Sequence, residues 1–86
     1  MGKTTDLDKA FGIALRKLRL AKKLTQEELG FEAGLRRTYI SSLELGEKTP
    51  SLDTIFKLSL ALSMPMSKLL KVVEKNIDPL SKGLDN

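Results

Sequence analysis

The sequence predicts an all-α fold of five short helices packed as one small domain. Three observations lead there. Apolar residues recur at helical spacing along nearly the whole chain, and no stretch alternates as a strand would. Helix start and stop signals punctuate the sequence at short intervals: Thr25 with Glu28, Gly34, Gly46, Ser51 and Pro65. At 86 residues there is no room for a second domain.

The first helix is expected from about Leu7 to Lys22, with Leu7, Phe11, Ala14, Leu15 and Leu18 as its apolar stripe and Asp6 as its N-cap. In "LTQEELGFEAG" Thr25 and Glu28 form a capping box. Glu27 and Glu28 suit the positive end of the helix dipole. Leu29 and Ala33 face inward, and Gly34 ends this second helix, about nine residues long, in the manner of a left-handed cap. The third helix lies within "LRRTYISSLELG" and stops at Gly46. After "EKTPS", Ser51 caps a fourth helix bearing Leu52, Ile55, Phe56, Leu58, Leu60 and Leu62. Its apolar residues surround much of its circumference, so a central position is expected. Pro65 restarts the chain, and Met66, Leu69, Leu70 and Val73 stripe a fifth helix to about Lys75. The packed part thus spans about 7–75, and the tail 76–86 is expected to be poorly ordered.

Composition narrows the function. With neither cysteine nor histidine, disulfides, thiolate or imidazole metal sites and Cys/His or Ser-His-Asp nucleophiles are excluded. No metal, cofactor or small-molecule ligand is expected, and no enzyme. No apolar window approaches the ~18 residues of a membrane span, so a cytoplasmic protein is expected. Lys and Arg exceed Asp and Glu by 15 to 11, a net +4, which argues only weakly for a polyanionic partner. The distribution is more informative. Arg16, Lys17, Arg19, Lys22 and Lys23 crowd one segment, Arg36 and Arg37 open another, and Glu27, Glu28 and Glu32 lie between them.

A helix advances ~100° per residue. With Arg37 at zero, Ser41, Thr38 and Ser42 fall near ~40°, ~100° and ~140°, whereas Ile40 and Leu43 fall near ~300° and ~240°. Ile40 and Leu43 therefore anchor the third helix, and Arg37, Thr38, Ser41 and Ser42 share an exposed face. A merely solvated face is usually built of Lys, Glu and Gln, which are better helix formers. Short hydroxyl side chains behind two arginines suit either a solvent face with chance Ser and Thr or close approach to a major groove, where Arg reads guanine edges. A capped short helix, a glycine turn and this helix together form a helix-turn-helix arrangement, with Gly30 letting the two helices cross closely.

The run "IALRKLRLAKKLTQEELGFEAGLRRTYISSLELGEKTPSLDTIFKLSLALSMPMSKLL", residues 13 to 70, resembles the Cro/phage-repressor-type, XRE-like helix-turn-helix family. "RRTYIS" is also similar to the small controller proteins of restriction-modification systems. The resemblance implies a homodimeric, sequence-specific regulator of transcription that binds a palindromic operator in double-stranded DNA. Arg37, Thr38 and Ser42 match base-reading positions, with Arg36 and Ser41 beside them. Gln26, Tyr39 and Lys48 match contacts to the sugar-phosphate backbone. Arg19 and Glu44 match a structural ion pair joining the first helix to the third. Three departures stand out. Arg36 replaces the usual Ser or Thr cap, Lys23 stands where Gly is frequent, and Leu45 replaces a commonly polar residue.

Leu69, Val72 and Val73 offer a dimer interface on the fifth helix, or else they cover Phe56 and Leu60. A protein-binding module on the same fold is the competing reading, for which Leu20, Leu45, Ile77, Leu80 and Leu84 leave room.

Overall fold

The computed structural model describes residues 6–77. Five helices follow one another: α1 Asp6–Ala21, α2 Gln26–Ala33, α3 Arg37–Glu44, α4 Leu52–Ala61 and α5 Met66–Lys75. α1 packs on α3 and α5, α2 packs on α3 and α4, and α4 packs on α5. Phe11, Ala14, Leu15, Leu29, Ile40, Leu43, Leu58, Leu62 and Leu69 form the centre of the core, all but Phe11 fully removed from solvent.

The local signals act as their chemistry requires. Thr25 Oγ1 accepts from the Glu28 backbone N–H at 3.0 Å, and Glu28 Oε1 accepts from that of Thr25 at 2.8 Å. Two N–H groups that the helix cannot itself satisfy are thereby paired. Gly34 closes α2 in the left-handed conformation, φ 72°. Ser51 Oγ accepts from the Thr54 backbone N–H at 3.1 Å to start α4. Lys23 adopts φ 60° in the turn after α1, a conformation glycine reaches at lower cost. A Cβ on Gly30 would stand 2.6 Å from the Leu35 carbonyl oxygen. Only glycine allows α2 to meet the start of α3 this closely.

Several expectations need correction. Asp6 is already helical, so the cap position precedes it and lies outside the described residues. The packed part extends past Lys75, because Ile77 is buried in the core; Leu80, Leu84 and the rest of 78–86 lie outside the described residues. α4 is not central. Leu58, Ser59 and Leu62 are buried, but Leu52, Phe56 and Leu60 are 69%, 46% and 61% exposed. The helix packs with one face against α2 and α5, and the stripe at i, i+4 and i+8 looks outward. Leu69 and Val73, expected at a dimer interface, are 0% and 2% exposed. They pack into the core of their own chain. Val72 is half-buried at its margin.

Candidate nucleic-acid interface

α3 owes its position to a buried polar knot. Arg19 Nε donates to Glu44 Oε2 at 2.6 Å and Arg19 Nη2 to Glu44 Oε1 at 3.0 Å. The two side chains are only 7% and 3% exposed. Arg19 Nη1 donates to the Leu24 carbonyl at 2.8 Å. Charge-assisted, two-pronged bonds of this kind are among the strongest in proteins. The hydrogen bond to Glu44 raises Arg19 above the ordinary arginine pKa, burial opposes that rise, and the carboxylate's charge adds to it. The guanidinium is therefore a permanent cation. α1 comes close to this end of α3 because position 12 is glycine: a Cβ there would stand 2.5 Å from the Leu43 and Glu44 carbonyl oxygens.

Sequence reasoning paired Arg19 with Glu44 but missed the third member. Gln26 Nε2 donates to Glu44 Oε1 at 3.0 Å, so one carboxylate ties together α1, the start of α2 and the end of α3. Gln26 is half-buried, and its amide nitrogen carries a second hydrogen that Glu44 does not use. A second tie was also missed. Thr49 Oγ1 donates to Asp8 Oδ1 at 2.7 Å, fastening the loop that carries Lys48 to the first turn of α1. Asp8 is buried, yet in the sequence it is an ordinary first-turn acid and gives no hint of a long-range partner.

The outer edge of α3 is unencumbered. Ile40 and Leu43 are fully buried, as their helical angles require. Arg36, Arg37 and Thr38 are exposed, and Ser41 and Ser42 are half-buried. Among the described residues none of these five side chains enters a hydrogen bond or ion pair. Arg36 occupies the cap position of α3 with no side-chain capping bond, so the helix start is left with open N–H groups. Tyr39 is half-buried against the core, and Lys48 is exposed on the loop beyond Gly46. Leu45 follows the last turn of α3 and is 65% exposed.

This geometry is that of a capped helix crossing beneath a helix whose outer edge bears arginine and short hydroxyls. A helix-turn-helix family model matches residues 15–69. The chain belongs to the helix-turn-helix family. Control protein C.BamHI of Bacillus amyloliquefaciens is 44% identical over 68 residues, covering 78% of this chain and 84% of the relative. The crystal structure of the restriction-modification controller protein C.AhdI of Aeromonas hydrophila aligns with a TM-score of 0.70 at 44% identity, over 72% of this chain and 94% of that one. The C.Esp1396I controller protein, solved as a tetramer in complex with its natural 35 base-pair operator, aligns with a TM-score of 0.76 at 27% identity, over 83% and 93%. No helix among the described residues is long and apolar enough to cross a membrane.

Proposed function

We propose that this chain is a sequence-specific, double-stranded DNA-binding regulator of transcription, of the kind its controller-protein relatives represent, acting in the cytoplasm and without catalytic activity. The observation that carries the reading is the unencumbered edge of α3. Among the described residues the side chains of Arg36, Arg37, Thr38, Ser41 and Ser42 make no hydrogen bond or ion pair, while α3 is held at both ends by Gly30 and Glu44. Such a helix enters a major groove without rearranging, Arg37 reading a base edge and Thr38 and Ser42 the neighbouring positions. Gln26 offers its second amide hydrogen to a phosphate, and Lys48 and Tyr39 flank the same strand.

The working unit is a homodimer, and the stripe Leu52, Phe56 and Leu60 on α4 is its interface in place of the α5 residues. These are three large apolar side chains in line on one helix, with only the half-buried Val72 of the earlier set near enough to the surface to join them. Two subunits so joined place two α3 helices on successive turns of the duplex, ~34 Å apart.

Selection of binding sites from random duplexes tests this. The expected result is an inverted repeat with half-site centres one helical turn apart, bound with an affinity that falls steeply as salt rises. Binding without sequence preference, or only to single half-sites, contradicts it. Retention of a protein partner by salt-insensitive contact, with no duplex selected, favours the protein-binding module.

A further inference from the structure

Two helix faces remain that neither the core nor the reading edge uses. On α2, Leu29, Gly30 and Ala33 are buried and point within ~50° of one direction. Phe31 lies nearly opposite, with Glu27 ~40° to one side and Glu28 and Glu32 ~60° and ~100° to the other. Phe31 is 84% exposed, the most exposed of the large apolar residues described. A DNA contact does not explain this face, since three carboxylates beside a phosphate chain repel it.

On α1, Ile13 and Leu20 are each about half exposed and lie within ~20° of one another. Lys9 and Arg16 flank them on one side and Lys17 on the other, within ~60°. Asp6 shares this face at its far end, ~10 Å along the helix from Ile13. Among the described residues, none of Lys9, Arg16, Lys17, Glu27, Glu28 and Glu32 belongs to an ion pair. The chain therefore displays one acidic face centred on an aromatic ring and one basic face centred on two aliphatic side chains.

We infer that these faces are complementary halves of one contact: the α2 face of one molecule docks on the α1 face of a second copy, head to tail. Phe31 enters between Ile13 and Leu20, and the surrounding charges pair across the rim. An aromatic anchor ringed by charged groups is the usual anatomy of a small, specific interface. The charges set orientation and encounter rate more than they set strength. The contact uses neither the α4 stripe nor the α3 edge, so it joins molecules already dimerised and leaves them free to bind DNA. Being head to tail, it is heterologous, so it adds further copies as a closed ring or an open row according to the rotation between neighbours.

Sedimentation of the full chain, compared at low salt and at ~0.5 M salt, separates this contact from an apolar dimer interface, because only the charged one is screened. Glu27→Lys with Glu32→Lys, and Arg16→Glu with Lys17→Glu, should each weaken the salt-sensitive step at least about tenfold. All four changes in one chain restore the net charge and exchange the two signs, so association should return. Phe31→Ser, which alters no charge, should weaken it comparably. All these positions are exposed, and helical circular dichroism verifies that each variant is folded. The inference is overturned if the wild type shows no salt-sensitive association, or if the fourfold variant stays as dissociated as the twofold ones. It is equally overturned if Phe31→Ser leaves self-association intact and abolishes capture of some other basic protein.

Discussion

Replacing Glu44 by alanine removes the acceptor of three hydrogen bonds, two from Arg19 and one from Gln26. The Arg19 side chain, 7% exposed, is then a charge that water barely reaches, holding only the Leu24 carbonyl. Stranding one member of a buried pair costs about 3–5 kcal/mol. A chain of 86 residues, at about 0.05–0.15 kcal/mol per residue, has about 4–13 kcal/mol in total. Glu44→Ala should therefore remove a large share of the stability and lower the melting temperature by about 12 °C or more, both read from helical circular dichroism with urea and with heat. The paired change Arg19→Met with Glu44→Leu strands no charge and should recover most of the loss. A cost below about 1 kcal/mol for Glu44→Ala, or a paired variant no better than the single one, refutes the view of a water-excluded pair. The pH dependence follows from Arg19, whose pKa is raised by Glu44 in the folded state. The stabilisation is complete below the pKa of an unfolded arginine and fades only as pH rises through the higher folded value. From neutral to moderately alkaline pH, Arg19 should contribute no slope to the stability.

Other outcomes are equally concrete. Arg37→Ala should cost about 1–3 kcal/mol on the selected duplex and relax preference at one base pair; an equal loss on every sequence would make Arg37 a phosphate contact. Gln26→Ala should weaken all duplexes alike and, because a neutral donor is lost, leave the slope of log affinity against log salt unchanged, as titrations at several salt concentrations will read. Phe56→Asp should leave the protein folded but monomeric by light scattering, and a dimer that survives places the interface elsewhere. Gly30→Ala sets a Cβ 2.6 Å from the Leu35 carbonyl and should destabilise by about 1–3 kcal/mol in urea melts, unchanged stability showing that the α2–α3 crossing can open.

What was legible in the sequence was mostly local. The Thr25–Glu28 box, the Gly34 stop and the inward aim of Ile40 and Leu43 each depend on residues within one or two turns, where spacing fixes direction. The exposed edge of α3 followed from the same arithmetic. The Arg19–Glu44 pair, 25 residues apart, was reachable only through resemblance. Its third member, Gln26, was masked because a residue matching a phosphate contact needed no further explanation. α4 was misjudged for a different reason. Periodicity reports which side chains are apolar but not whether a neighbour lies against each, and a helix apolar on several sides suits an exposed interface as well as a core. Leu69 and Val73 show the mirror case, since their apolar surface is taken up by the core of their own chain, which periodicity does not distinguish from surface left for a partner. Asp8 and Thr49 carry no pattern at all, since their meeting is a property of the assembled fold.

The separation between the knot at Glu44 and the free edge of α3 bears on how such a protein diverges. Among the described residues the side chains of Arg36, Arg37, Thr38, Ser41 and Ser42 make no hydrogen bond or ion pair, so exchanging one of these side chains should shift the folding equilibrium little. With the base-reading role proposed for them, operator preference would drift one residue at a time through folded intermediates. Glu44 has no such liberty, because a single change there disturbs stability and the aim of Gln26 together. Duplicated copies of this gene would be expected to part company along the edge while keeping the knot.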